Sequence, residues 1–163
     1  MSVFSEFSSD KLCTAEHVAP LVIAAELHIT AVLLEKLEEG YECVWGSRFM
    51  KGGSMREQPL YRRILSGGGT LLSNLVLGTR LKDMTSGFEA FQREILEKMN
   101  FEKFLSTGHM YQTEMRYYCR NCRTVEVPIH YVGTASSLKG SSVVEALKIL
   151  FKLKKNERNI WKK

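Results

Sequence analysis

An α/β fold with a mixed sheet flanked by helices is predicted by three observations. Ala31, Leu33, Leu34 and Leu37 recur at helical spacing, with Glu35, Lys36, Glu38 and Glu39 facing outward, until Gly40 stops the pattern. The β-prone stretch Tyr41–Trp45 follows at once and runs into Gly46-Ser47-Arg48, so a loop sits at the carboxyl end of a strand, where α/β folds hold their ligands. Helical and strand-like stretches then keep alternating, in a chain of 163 residues that is 44% hydrophobic and 25% charged, enough for one core of domain size.

In chain order, residues 1–29 read as an irregular lead-in: Met1 to about Ala19 is Ser-rich and without a period. Val18–Leu27 is apolar, but too short to span a bilayer and interrupted by Pro20 and Glu26. The segment Tyr41–Trp45 alternates poorly, which predicts a strand buried on both faces. Lys51-Gly52-Gly53-Ser54 is a loop, and Pro59 opens a helix in which Ile64, Leu65, Leu71, Leu72, Leu75 and Val76 share an apolar face. Gly67-Gly68-Gly69 costs that helix about 1 kcal/mol per residue relative to Ala, so it breaks there or something approaches its backbone. Phe88–Phe91 reads as a short strand, Arg93–Met99 and Met110–Cys119 as helices, and Val125–Ile129 as a strand that Pro128 places at its end or at a sheet edge. Residues 142–163 form a basic amphipathic helix and tail, with Val143, Val144, Leu147, Leu150, Phe151 and Leu153 on one side, Lys148, Lys152 and Lys155 towards the other, and Trp161 suited to a membrane interface. A terminal helix packed on the domain, with a solvated basic face, fits the same pattern.

The net charge of +5 is local. Seven bases against Glu157 lie between Lys148 and Lys163, and the rest of the chain is close to neutral. That distribution suits an anionic surface and excludes a domain built around nucleic acid. Four cysteines are too few for a disulfide scaffold in a chain this long, which points to a reducing compartment. Cys119-Arg120-Asn121-Cys122 has C-x-x-C spacing but no second pair, so it reads as a helix end with one buried and one exposed thiol. No secretory leader opens the chain.

Asp83-Met84-Thr85-Ser86-Gly87-Phe88 carries the most chemistry. Serine and glycine after an acid make a turn that presents a carboxylate and donors, with Gly87 free to take a positive φ or to let a ligand approach. Arg62 and Ser66 lie four apart, on one helix face, and make a phosphate cradle.

Gly46-Ser47-Arg48, Arg62 with Ser66, the 83–88 turn, Tyr111-Gln112-Thr113-Glu114 and Val125-Glu126-Val127-Pro128-Ile129 follow one another as in glycosyltransferase family 2. The chain resembles that family's dolichyl- or polyprenyl-phosphate mannose synthases, from about Thr30 to about Lys155. The resemblance implies that residues 30–155 are the C-terminal, acceptor-side part of a GT-A (Rossmann-like) domain. It implies transfer of a sugar, mannose or another hexose, from a nucleotide-sugar donor to a polyprenyl or dolichyl phosphate, at the cytoplasmic face of a membrane and without a nucleic-acid partner. By the same resemblance Arg48 and Asp83 are the catalytic candidates, and Arg62, Ser66, Thr85, Ser86, Gly87 and Lys139 bind substrate.

The family's divalent ion, Mg2+ or Mn2+, is bound by a D-x-D motif that aligns here with Pro20-Leu21-Val22 or, with a gap of four, with Ala24-Ala25-Glu26, leaving Glu26 and His28 as the metal-site remnant. The family's acceptor loop, R-x-x-G-x-S-K-L, has its counterpart in Gly133–Ser141, with Thr134 at the arginine position. A non-catalytic relative that binds a membrane or a partner is the alternative reading. An exposed sheet edge favours homo-oligomerisation.

Overall fold

The structure is a computed structural model that describes residues 19–55, 58–106, 110–131, 140–155 and 160–161, with backbone alone for 19–27 and 140–143. Its elements run α1 (Ala19–Glu38), β1 (Cys43–Ser47), α2 (Leu60–Leu77), β2 (Glu89–Phe91), α3 (Arg93–Lys98), α4 (Tyr111–Tyr118), β3 (Thr124–Pro128) and α5 (Gly140–Lys155). This is the expected α/β order with a mixed sheet. The helix expected from Thr30 begins eleven residues earlier, at Ala19, because Pro20 and the apolar run after it extend the same pattern. Gly40 ends that helical stretch with φ +89°, a conformation that a Cβ would strain.

The sheet has the order β2-β1-β3, with β1 antiparallel to β2 and parallel to β3. Cys43 pairs with Thr124 and Ser47 with Pro128, so Pro128 sits at the end of an edge strand, where its missing N–H costs no ladder bond. All five residues of β1 are buried, as the poor alternation predicted. The reason is a core on each face. Cys43 and Trp45 point into a cluster with Met84, Met99, Met115, Tyr118, Leu150 and Leu153. Val44 points the other way, into a cluster of Ile29, Leu33, Val127 and Ile129.

Gly46 lies on Val44's side of the strand, between Phe88 and Ile129. A Cβ there would stand 2.7 Å from the Phe88 Cβ and 3.0 Å from the Ile129 Cγ2. Gly46→Ala is therefore expected to destabilise the chain by about 1–3 kcal/mol, the usual cost of overpacking a filled core. A urea denaturation midpoint within error of the parent would contradict this.

Of the two outcomes expected at Gly67-Gly68-Gly69, a break or a close neighbour, the second is found. The helix α2 runs unbroken through Gly67-Gly68-Gly69, and only Gly69 has a neighbour, with its ideal Cβ 3.5 Å from the Thr85 Cγ2. Its apolar face does not turn inward. Arg62, Thr70, Ser73 and Leu77 are buried, Leu72 and Val76 are partly buried, and Leu60, Tyr61, Ile64, Leu71 and Leu75 are exposed, Leu75 at 79%. The side carrying Gly69 and Thr70 faces the 83–88 turn, where the Met84 N–H donates to the Thr70 Oγ1 at 3.1 Å.

In α5, too, the apolar residues divide. Leu150 and Leu153 enter the core, whereas Val144, Leu147 and Phe151 are exposed among Lys148, Lys152 and Lys155. Trp161, expected at a membrane interface, is half-buried and bridges to Met99. The adjacent Asn100 N–H donates to the Ile160 carbonyl at 2.8 Å, which ties this end of the chain to the domain. Among the described residues no helix is long and apolar enough to cross a membrane.

Candidate active site

Arg48 follows the last residue of β1, and the 83–86 turn is folded around it. The Arg48 backbone N–H donates to the Asp83 Oδ2 at 3.0 Å and Nε donates to the same oxygen at 2.7 Å. Nη2 donates to the Asp83 Oδ1 at 2.8 Å and to the Thr85 Oγ1 at 2.6 Å. This is a bidentate fork on a carboxylate that has no exposure to solvent. The turn closes on itself as its composition predicted: the Thr85 N–H donates to the Asp83 Oδ1 at 3.0 Å and the Phe88 N–H to the Ser86 Oγ at 3.3 Å.

Burial raises the Asp83 carboxyl, but the bonds and charge of Arg48 outweigh it and hold the group below the ordinary carboxylate value of 3.8. With both oxygens engaged and its affinity for a proton lowered, Asp83 is a poor base. It fixes Arg48 instead. The Arg48 guanidinium also lies 5.4 Å from the Phe49 ring centroid and 5.8 Å from that of Tyr131.

Three residues not taken as site residues in the sequence hold the turn from behind. Glu126, on β3, accepts the Lys82 N–H at 2.9 Å and the Asp83 N–H at 3.1 Å. Thr70 takes the Met84 N–H, and the Thr113 Oγ1 donates to the Met84 carbonyl at 2.8 Å. A carboxylate inside the apolar strand Val125–Ile129 was the available signal for Glu126. Thr113 stood in the Tyr111–Glu114 motif, and Thr70 gave no signal.

The helix α2 lies against this turn through Gly69 and Thr70, and its residues Arg62 and Ser66 are two turns and one turn N-terminal on the same side. Arg62 is 8% exposed. Its Nε donates to the Tyr61 hydroxyl at 3.4 Å, and its buried Nη2 has no partner among the described residues. A guanidinium nitrogen taken out of water without an acceptor is costly unless an anion completes it. Ser66 is half-buried.

The structure thus joins Arg48, Asp83 and Thr85 directly, and seats Ser86 and the helix carrying Arg62 and Ser66 beside them. Gly87 is exposed and does not take a positive φ, contrary to one of the two uses expected of it; a Cβ there would lie 3.4 Å from the Gln112 Nε2. Lys139 lies outside the described residues.

The residues singled out for Mg2+ or Mn2+, Glu26 and His28, both fall on α1. They are two apart; the Glu26 side chain lies outside the described residues, and His28 is exposed. The carboxylates at the turn are engaged, the buried Asp83 with Arg48 and the half-buried Glu126 with backbone N–H groups.

No family model matches the chain. Curated proteins do. Polyprenol monophosphomannose synthase of Mycolicibacterium smegmatis is 32% identical over 120 residues, covering 71% of this chain and 45% of the relative. Dolichol-phosphate mannosyltransferase of Pyrococcus furiosus is 30% identical over 133 residues, 78% of this chain and 37% of the relative. Undecaprenyl-phosphate mannosyltransferase of Micrococcus luteus is 32% identical over 111 residues, 65% of this chain and 46% of the relative. The chain spans less than half the length of these relatives.

Proposed function

Since the chain belongs to the polyprenyl-phosphate mannose synthase-like branch of glycosyltransferase family 2, we propose that it forms the acceptor side of a GT-A hexosyltransferase, which moves a sugar, mannose in the reading favoured by its relatives, from a nucleotide-sugar to a polyprenyl phosphate. The observation that carries this is Arg62, a buried guanidinium with an unpartnered Nη2, on the helix face that meets the Arg48–Asp83–Thr85 turn. A phosphate monoester supplies the missing acceptor. Ser66 adds a hydroxyl one turn away, and Lys139 further charge.

Such an acceptor is already anionic, so its attack on a sugar carbon needs alignment and charge balance more than a strong base. Asp83 then serves as a positioning group: it holds Arg48 and Thr85 in one geometry, and Ser86 and Gly87 extend the same wall. Mg2+ or Mn2+, where the complete transferase binds it, neutralises the donor diphosphate; the described residues here give no step through it.

Work at a membrane surface is supported by the exposed apolar residues of α2 and by Val144, Leu147 and Phe151 interleaved with lysines on α5. Vesicles rich in phosphatidylglycerol should therefore retain the chain in sedimentation better than pure phosphatidylcholine, and salt should release it. Lys148→Ala with Lys152→Ala is expected to weaken that binding roughly 30-fold, from about 1 kcal/mol per lysine near an anionic surface. Equal retention on both lipids would remove the anionic surface from the proposal.

Function is tested with a water-soluble short-chain polyprenyl phosphate. The chain should bind it, and should bind the corresponding polyprenol at least tenfold more weakly. Sugar transfer by the chain, assayed with a nucleotide-sugar and Mn2+ or Mg2+, identifies a working enzyme; binding without turnover assigns it instead the non-catalytic role. Failure to distinguish the phosphate from the alcohol would defeat both.

A further inference from the structure

At the far end of β1 from Arg48, a second group of side chains converges that the transferase reading does not use. Cys43 begins β1, Cys119 caps the end of α4, and Cys122 follows one turn later, just before β3. Their sulfur atoms all lie within 4.8 Å of one another. The fold brings them together for definite reasons. Cys43 pairs with Thr124 across the parallel ladder, which places Cys122 beside the start of β1, and the Cys122 N–H donates to the Cys119 carbonyl at 2.9 Å, folding the C-x-x-C segment into a tight turn. Cys43 and Cys119 are fully buried, and Cys122 is half-buried.

We propose that Cys43, Cys119 and Cys122 form a three-thiolate site for a zinc ion. The sequence offered only the C-x-x-C pair, too few ligands for a metal, and it is the strand pairing that supplies the third. Around a zinc ion with Zn–S bonds of about 2.3 Å, tetrahedral geometry sets sulfurs about 3.8 Å apart, so the cluster closes by no more than roughly 1 Å per pair. Soft thiolates select zinc over magnesium, manganese or calcium, which separates this site from any ion used on a diphosphate. Partial exposure of Cys122 gives the ion a route in and leaves room for a fourth ligand, a water molecule or another side chain. A disulfide would consume two of the sulfurs and leave unexplained why a third, seventy-six residues earlier than Cys119 in the chain, is buried against them. The bound ion ties β1, α4 and β3 at the amino ends of the two parallel strands. It lies roughly 15 Å along the strand from the Arg48 turn, so its task is structural.

Cobalt titration of the full chain, purified with a reductant and stripped of metal, provides the test. One equivalent of Co2+ is expected to produce thiolate-to-metal charge-transfer absorption in the near ultraviolet together with the intense visible bands of four-coordinate cobalt. Zn2+ should displace both and raise the melting temperature with the logarithm of its free concentration. Cys122→Ser, at the half-exposed position, is expected to weaken binding at least about 100-fold, since even loss of an outer-shell partner costs roughly 10- to 100-fold. Cys122→His, which keeps a ligand, should bind and shift the visible bands. Three results would each overturn the proposal: absence of charge transfer at stoichiometric Co2+, Cys122→Ser binding as tightly as the parent, or metal-independent isolation of a Cys119–Cys122 disulfide. Because the readout is spectroscopic and remote from Arg62, it stands or falls separately from acceptor binding.

Discussion

Replacing Asp83 by Asn is expected to destabilise the chain by about 3–5 kcal/mol, because it leaves the buried Arg48 guanidinium without its counter-charge. For a chain of this size, that corresponds to a fall in melting temperature on the order of 10 °C. The amide also turns donors towards donors, since Arg48 offers its backbone N–H, Nε and Nη2 to the two carboxylate oxygens. Replacing both partners, as Arg48→Met with Asp83→Leu, should be less damaging than Asp83→Asn alone, because no charge is then stranded.

The pH dependence has a definite sign. Asp83 has its folded value below its unfolded one, so it contributes full stability above about pH 3.8, and that contribution is lost as the pH falls through the lower folded value. In Asp83→Asn this acid-side loss should shrink. Thermal melts of the three variants against pH measure both effects. A melting temperature for Asp83→Asn within about 2 °C of the parent would contradict the coupling.

The second large effect concerns Arg62. Arg62→Ala is expected to weaken binding of a short polyprenyl phosphate by roughly 10- to 100-fold, the equivalent of about 1.5–3 kcal/mol for a charged hydrogen bond. Stability should change little, since among the described residues the guanidinium has a long bond to the neighbouring Tyr61 and an Nη2 without a partner to lose. Arg62→Lys should recover only part of the affinity, because an ammonium group carries the charge without the planar fork. Near-parent affinity in Arg62→Ala, measured by calorimetry on folded protein, would remove Arg62 from the acceptor site.

Much of the fold was legible because local chemistry and tertiary demand agree. Pro59 and Gly40 mark real helix ends, the poorly alternating β1 is buried between two cores, and the Asp83 turn makes the local bonds its residues advertise. The errors have a common origin. Periodicity shows that a helix has two faces but not which of them is covered. In α2 the side of Gly69 and Thr70 meets the turn, because Thr70 satisfies a backbone donor there and Gly69 allows close approach, and Leu60, Leu71 and Leu75 were left outside. In α5 the apolar residues cover more of the helix circumference than one contact can bury. At the site, Arg48 and Asp83 were found as separate motifs, but their mutual neutralisation was invisible until β1 and the turn met. Cys43 was hidden in the same way: only the β1–β3 register makes it a neighbour of Cys122.

The central claim is that Arg62 recognises the phosphate of a lipid acceptor, and a cycle in which protein and ligand are each altered tests it most directly. Affinities of the parent and of Arg62→Ala are measured for a short polyprenyl phosphate and for the matching polyprenol. If the guanidinium reads the phosphate, the substitution weakens binding of the phosphate roughly 10- to 100-fold and leaves binding of the alcohol unchanged, a coupling of about 1.5–3 kcal/mol. Equal losses for the two ligands, or none for either, would show that Arg62 does not contact the headgroup and would contradict the account.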